Sequence, residues 1–570
     1  MALQIIDTKV KENFTLSNGT KTWTFTSPYL FTPRTLRGLR QCVLQAEKDK
    51  KRIRATGSQH AYSTVGNAHG DYLVTLSEAH PYNPDKHNAT VDLIDQSPVD
   101  LLRDEFVAKR DYYINVPGGL KIWMLNEILC PLKANQKARF GLKRMYNMGG
   151  GDVQAFAGAL STGTHGSGGL LSAYHDMVRS ILVVASGGRL LRVEPANGIT
   201  NPARHNAFYK NMGPDDKIEL IQDDDLFYSL TVSMGCMGII YSVILEVKDM
   251  DKLHEDVYFR PQGWGSDKLR ASVIEKANRL KNGEEIFYSL YVNPYPIDGK
   301  DICSCNEKMI TLADKNAAIS KNKKHRNVWP SFMSKLDPAA AVVQNLSNSN
   351  AKPAVGLLES ALKLIEDNSD IPQGGYTDLA YKVWNTGAGE LKTLGTGIEF
   401  AFPYTPDNLF NIMKQTLKAM KSFAERGNKF YLNSPIAIRF AHSSNVHMAI
   451  NNRYFKGEEY DLWFYLEFTG ISSALEPDKV RAAELYQFLQ GYLFQEDLTK
   501  GKVAGRPHWG LNFGFPFGKE FLHKMYPMFD KWLEAYQFFN PNGVFDGKFT
   551  DDLRLREDDG GTGDGPPAIV

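Results

Sequence analysis

The chain has 570 residues, too many for one simple core, so two or three domains are expected. Apolar residues make up 42% and charged residues 23%, an ordinary soluble balance, and 66 basic against 65 acidic side chains leave a net charge of +1. That balance argues against a nucleic-acid binder or a polybasic membrane protein.

At the amino terminus, MALQIIDTKVKENF lacks the apolar core of a secretory signal, and no later stretch approaches a membrane span. A cytoplasmic location is expected. The cysteines Cys42, Cys130, Cys236, Cys303 and Cys305 are sparse and irregular, which fits a reducing compartment. Cys303 and Cys305 have no second pair at ligand spacing, so no metal site is expected.

After an irregular start, Thr32-Pro33 signals a helix beginning, with Leu36, Leu39, Val43 and Ala46 at helical spacing behind it. KRIRATGSQHAYS then reads as a short strand breaking into a glycine turn, and DYLVTLS as a buried strand. RSILVVASGGRLLRVEP is a hairpin turning at Gly187-Gly188. DDDLFYSLTVSMGCMGIIYSVILEVKD reads as helix, glycine turn and long strand. Residues 30–250 therefore carry the α+β alternation of a cofactor-holding domain.

Beyond residue 250 the pattern becomes a sheet with helices on one side. DKLRASVIEKANRLKNG and TPDNLFNIMKQTLKAMKSFAERG are amphipathic helices; EEIFYSLYVNPY, TGIEFAFPY, SPIAIRFAHSS and DLWFYLEFTG are strands. The stretch 300–375, rich in Lys, Asn, Ser and Ala, reads as an insertion with a mobile portion. The expected division is a two-part cofactor domain over 1–250, a substrate domain over 251–500, and a segment 501–570 returning to the first, flexible from about 556.

Three glycine-rich loops stand out: ATGSQHAYS (55–63), NMGGGDVQAFAGALSTGTHGSGG (147–169) and SMGCMG (233–238). Neither a P-loop nor a dinucleotide-binding G-x-G-x-x-G is present. Consecutive backbone N–H groups in such loops form anion-binding concavities, and three in one domain suggest a large phosphate-bearing cofactor.

The order RIRATGSQHAYS, AGALSTGTHGSG, DLFYSLTVSMGCMGIIYSVILEV resembles the FAD-linked oxidases of the vanillyl-alcohol oxidase type. RPHWG and FNPNGVFD near the C-terminus resemble its aldonolactone, alditol and type II sterol oxidase branch. The resemblance implies an α+β fold, a two-part PCMH-type FAD-binding domain plus a cap domain whose sheet is flanked by helices. It implies FAD bound covalently through His60, the alternative being a plain turn histidine. Gly57, Ser58, Gln59, Ala61 and Tyr62 would share that loop with it, Gln59 and Ala61 departing from the family's usual glycine and serine. It also implies contact with the cofactor from Gly158, Ala159, Ser161, Thr162, Gly163, His165, Gly166 and Gly168, with His165 in a hydrogen-bonding rather than catalytic role. Gly235, Gly238, Ile239 and Ile240 would pass its adenine or ribitol side.

On the substrate side the family's Glu-x-Arg falls on SPIAIRF, where Arg439 fits and Ala437 replaces the glutamate. Its His-Trp-Gly-Lys falls on His508-Trp509-Gly510-Leu511, without the lysine. A buried sugar hydroxyl left without a partner costs about 1–3 kcal/mol, so losing both handles points away from a small polyol and toward a more apolar alcohol. Arg439 is expected to stabilise charge at the reacting centre, or to be a salt-bridged structural arginine. His508 either lies beside the flavin or only packs. Glu399 and Glu467, charges embedded in apolar strands, are the candidates for the missing carboxylate; Tyr291, Tyr404, His442 and His447 are weaker candidates for pocket lining.

The expected activity is FAD-dependent oxidation of an alcohol carbon in a polyol, sugar lactone or more apolar alcohol, with molecular oxygen as acceptor and hydrogen peroxide as product. The alternatives are a dehydrogenase or an oxidative cyclase of secondary metabolism on the same fold, and a relative without catalysis. Small-molecule substrate and oxygen are the expected partners.

Overall fold

In the computed structural model the described residues are 3–18, 23–68, 70–77, 95–131, 140–295, 303–320, 375–385, 395–425, 431–432, 434–471, 476–496, 503–512 and 518–557. The start of the chain is not irregular. β1 (Thr8–Ser17) and β2 (Thr24–Pro33) pair antiparallel, Thr8 opposite Pro33, because each alternates apolar and polar residues across a half-buried ribbon. Thr32-Pro33 accordingly ends a strand. The helix α1 (Leu36–Lys48) is capped instead by Thr35, whose hydroxyl accepts from Gly38 N at 3.0 Å.

β2 then pairs in parallel with β4 (Tyr72–Val74), which pairs with β3 (Ile53–Ala55), giving the order β1-β2-β4-β3. Next come β5 (Tyr113–Pro117), α2 (Ile122–Leu129) and the short helix α3 (Phe156–Ser161). β6 (Val178–Ala185) and β7 (Arg189–Glu194) form the expected hairpin, with Gly187 at φ 73° in its turn. β8 (Glu219–Gln222), helix α4 (Asp224–Thr231) and β9 (Ile239–Glu246) complete a second sheet, β5-β9-β6-β7-β8.

The third sheet has eight strands and forms one wall of the site. Its members are β10 (Lys252–Trp264), β11 (Phe287–Val292), β12 (Cys303–Leu312), β13 (Tyr376–Leu379), β14 (Gly395–Pro403), β15 (Ile436–His442), β16 (Leu462–Ile471) and β17 (Arg506–Pro507). They run in the order β13-β10-β12-β11-β15-β16-β14-β17. The amphipathic helices α5 (Asp267–Lys281) and α6 (Pro406–Phe423) bury Val273, Ala277 and Leu280, and Leu409, Ile412 and Met413.

Cys303–Leu312 corrects the expectation of an insertion over 300–375: it is a central strand, paired with β10 and β11 along its length. Residues 321–374 of that stretch lie outside the described residues, as does the tail from residue 558. The chain closes with α7 (Phe529–Phe539), which packs on α4; Trp532 Nε1 donates to the Val232 carbonyl at 3.1 Å. One continuous core joins Val116, Ile181 and Val243 of the five-stranded sheet to Ile398, Phe440 and Trp463 of the eight-stranded one. All five cysteines are buried and free, and among the described residues no helix is long and apolar enough to cross a membrane.

Candidate active site

A cavity of about 760 Å³ lies between the three glycine loops and the inner face of the eight-stranded sheet. Gly57, Ser58, Gln59, His60, Ala61 and Tyr62 all line it. The amides of residues 57–61 donate to no protein acceptor among the described residues, whereas Thr56 N and Tyr62 N on either side are bonded to Val74 O and Gly510 O. Gln59 takes φ 53°, the left-handed conformation that a glycine adopts without cost, and its side-chain amide closes back onto the Gly57 carbonyl. The loop is thus a bare concavity of donors, the arrangement that receives an anionic phosphate group.

The second loop contributes Gly158, Ala159, Ser161, Thr162, His165 and Gly166 to the wall, and the third Gly235, Gly238 and Ile240. Gly158 faces open space: a Cβ there would meet nothing within 4 Å. Three expected contacts are corrected. Gly168 lies under the eight-stranded sheet, donating to Phe440 O, and a Cβ on it would stand 2.3 Å from Ile286 O. Gly163 (φ 75°) makes the turn that ends α3 and does not reach the cavity wall. Ile239 points to the opposite face of β9 from Ile240, into the core with Leu182 and Leu190.

Arg54 was not signalled as a site residue by the sequence. It is fully buried and donates to the carbonyls of Val65 (2.7 Å), Met234 (2.9 Å), Gly235 (2.8 Å) and Phe545 (2.7 Å). One guanidinium thereby ties the turn after the first loop, the third loop and the C-terminal segment together, and it reaches the cavity wall. An arginine inside a short buried strand was the available signal.

On the sheet side, register decides which side chains meet. Tyr291, Ala437, Glu467 and Glu399 stand opposite one another across β11, β15, β16 and β14, so all four share the inner face. Arg439, two residues from Ala437, shares it too. Its Nη2 donates to Glu467 Oε2 in a short ion pair, and its Nη1 lies 3.7 Å from Glu399 Oε1. The carboxylate absent at position 437 therefore stands directly across from it, on the neighbouring strand. Ser289, Asn306 and Lys308 continue the polar lining; Lys308 pairs with Glu255 at 2.6 Å.

Behind this pair sits His165. Its Nδ1 lies 2.8 Å from the Gly166 carbonyl and its Nε2 3.1 Å from Glu399 Oε2. Both ring nitrogens thus face oxygen atoms, while the ring's face stacks on Tyr465 at 3.9 Å. Burial alone would push the Glu399 carboxyl up, but His165, and then Arg439 and His508, hold it at about 2. Glu467 moves the other way: burial pushes it up, and Arg439 opposes without cancelling. Burial works against the Arg439 charge, yet the two carboxylates keep it firmly protonated. His508 is lowered to about 4 by burial, against the pull of Glu399, with His165 and Arg439 adding to the effect.

His165, Glu399 and His508 bring three potential metal-ligand atoms within 4.8 Å. His508 Nδ1 accepts from Gly510 N at 3.1 Å, which places the proton of its neutral ring on Nε2. His165 is hydrogen-bonded at both ring nitrogens and His508 at Nδ1, so the trio is tied into the protein's own hydrogen bonds. Of the weaker candidates only Tyr291 lines the cavity. Tyr404 packs between Phe440 and Phe464; His447 bonds Ser229 Oγ at 2.9 Å; and His442, on the margin of β15, lies away from the cavity.

The D-arabinono-1,4-lactone oxidase family model matches residues 398–553, the stretch that carries Glu399, Arg439, Glu467 and His508. An L-gulono-1,4-lactone dehydrogenase from Mycobacterium tuberculosis is 21% identical over 523 residues, covering 90% of this chain and 92% of its own. The chain resembles the FAD-linked oxidases of the vanillyl-alcohol oxidase type, in the aldonolactone and sterol oxidase branch. A D-arabinono-1,4-lactone oxidase from Yarrowia lipolytica is 31% identical over 204 residues, 34% of this chain and 32% of that protein. In fold, the chain is similar to a variant of the cholesterol oxidase of Brevibacterium sterolicum, with a TM-score of 0.67 at 12% identity over 96% of this chain and 98% of that one. It is an FAD-linked oxidoreductase with the expected α+β, PCMH-type architecture. The bare donors of residues 57–61 and the open face of Gly158 fit that cofactor.

Proposed function

We propose that this protein oxidises an alcohol carbon of a polyhydroxylated, lactone-type substrate, with Glu467 as the base and Arg439 holding the reacting oxygen. The observation that carries this reading is the register that sets Glu467 opposite Ala437 and against Arg439. It rebuilds on the next strand the carboxylate–arginine pair missing from SPIAIRF. FAD, when bound, accepts the hydride and so supplies the redox chemistry. The chain supplies the rest. Arg439 donates to the substrate oxygen as negative charge builds there, Glu467 takes the hydroxyl proton, and Glu399 and His165 fix the arginine from behind.

A polar lining of Ser289, Tyr291, Asn306 and Lys308 supports a hydroxyl-rich substrate over the apolar alcohol that the missing handles suggested. Lactones head the relatives by name, which favours that class. His60, in the donor loop, carries the flavin covalently, and molecular oxygen is the acceptor, giving hydrogen peroxide. A dehydrogenase using another acceptor is the second reading, favoured by the M. tuberculosis relative that matches over most of both chains.

The test is a substrate panel of aldonolactones, polyols, sterols and aromatic alcohols with peroxide and dye reduction read in parallel. Lactone-dependent peroxide release in the wild type, lost by about 10²–10⁴-fold in Glu467→Gln, is the expected result. Turnover confined to sterols, or a Glu467→Gln variant at wild-type rate, contradicts the reading.

A further inference from the structure

The bare donors of the glycine loops fit the cofactor, which leaves the opposite wall, the inner face of the eight-stranded sheet, to the substrate. On that face two rows of side chains run outward from the reacting pair, because residues opposite each other on neighbouring strands point the same way. One row is Arg439 on β15, Ser289 opposite it on β11, and Lys308 opposite Ser289 on β12. The row beside it is Ala437, Tyr291 and Asn306 in the same strand order. All six line the cavity. The hydroxyls of Ser289 and Tyr291 bond to no protein group among the described residues.

Neighbouring strands lie about 4.8 Å apart, so the backbone of Lys308 starts about 10 Å from that of Arg439. The Lys308 ammonium is turned farther still, to Glu255 on β10, which it meets at 2.6 Å. With 14% and 22% of these side chains exposed, the pair belongs to the cavity and is not a surface ion pair. A single lactone ring spans about one strand step, so when held at Arg439 it reaches Ser289 and stops short of Lys308.

We propose that Ser289, Lys308 and Glu255 form a second substrate subsite that holds a glycosyl unit on the far end of the lactone, so that the preferred substrate is a glycosylated lactone and not a single ring. The inference rests on the reading of Arg439 and Glu467 as the reacting pair. The chemistry of the subsite selects its occupant. An uncompensated lysine would call for a phosphate or a carboxylate, but Glu255 cancels the charge of Lys308. A paired ammonium and carboxylate set donors and an acceptor side by side, which suits adjacent sugar hydroxyls. Val257, opposite Lys308, and Ile310, opposite Glu255, are apolar and face the C–H side of such a ring. A hydrocarbon end in the same place would bury the unbonded hydroxyls without partners.

The test compares three substrates on the holoenzyme: an aldono-1,4-lactone, the same lactone glycosylated on its terminal hydroxyl, and the same lactone phosphorylated there. Wild type is expected to show kcat/KM at least about tenfold higher for the glycosylated lactone than for the bare one. Lys308→Met should bring that ratio to within about twofold of unity, and Ser289→Ala, which removes a hydroxyl the protein leaves unbonded, should lower it about threefold. A partly unfolded preparation scales both rates alike and leaves the ratio readable. A wild-type ratio near one, a ratio unchanged in Lys308→Met, or a preference for the phosphorylated lactone overturns the proposal. Anaerobic calorimetry on Glu467→Gln separates the subsite from the reading of the reacting pair. If wild type oxidises none of the lactones, that reading fails. Tighter binding of the glycosylated lactone to Glu467→Gln, weakened when Lys308→Met is added, still supports the subsite, and equal binding of the glycosylated and bare lactones overturns it.

Discussion

Glu399 and Glu467 illustrate how two carboxylates on one sheet face take different roles. They stand opposite each other on adjacent strands with Arg439 between them, and His165 is on the Glu399 side. That asymmetry leaves Glu399 ionised and Glu467 with the higher proton affinity, the separation expected of a fixed charge and a working base. Because the base must be ionised, oxidation should fall as pH drops through the raised value of Glu467. Glu399 has a stability signature of its own. Its folded value of about 2 lies below the ordinary 4.5, so its contribution is present above pH 4.5 and is lost as pH falls toward 2. Thermal unfolding of Glu399→Gln should therefore show a shallower loss of Tm between pH 4.5 and 3 than wild type; parallel curves would contradict this. Both carboxylates were legible in the sequence as charges in apolar strands. Which of them meets Arg439 was not, because that depends on a strand register that no local pattern encodes.

At the scale of elements, the glycines of ALSTGTHGSGG divide into two kinds. Gly168, at φ 71° with Ile286 O in the way of any Cβ, exists for packing against the eight-stranded sheet. Gly158, with open space before it, exists for what enters the cavity. Gly168→Ala should lower Tm by several degrees through a strained backbone and a clash. Gly158→Ala should leave the apoprotein's Tm within a degree or two and weaken flavin binding. Calorimetry of the apoprotein and a flavin titration separate the two; a Gly158→Ala variant that unfolds early contradicts the assignment. The hairpin at Gly187-Gly188 and the helix α6 behind Thr405 were readable because their residues carry local turn and capping chemistry, whereas the cap of α1 is Thr35 and not the Thr32-Pro33 signal. β12 was not, since Asn306, Glu307 and Lys308 break the apolar alternation. Asn306 and Lys308 line the cavity, and Glu307 bonds Tyr288 Oη at 3.0 Å, so function and buried pairing replaced the hydrophobic signal there.

At the scale of the molecule, the cavity is closed by segments hundreds of residues apart. His508 enters from β17, next to Glu399, and the C-terminal segment reaches Arg54 through the Phe545 carbonyl. Arg54→Met would leave three buried carbonyls, of Val65, Met234 and Phe545, without their donor, each costing about 1–3 kcal/mol. That variant is expected to lose Tm and to release the third glycine loop and C-terminal segment together, seen as faster hydrogen exchange over 233–238 and 540–550; unchanged exchange there contradicts the tie. The order of motifs along the chain was enough to recognise the cofactor domain and the family. The long-range closure was not legible, because three of the four Arg54 acceptors lie 180, 181 and 491 positions away.

The central claim is that an alcohol carbon is oxidised at Arg439 and Glu467 against the flavin, and anaerobic mixing with an aldonolactone tests it most directly. The flavin absorbance of the wild type is predicted to bleach. In Glu467→Gln the same lactone should perturb the spectrum on binding and bleach it at least about a hundredfold more slowly. Bleaching of Glu467→Gln at the wild-type rate would contradict the account.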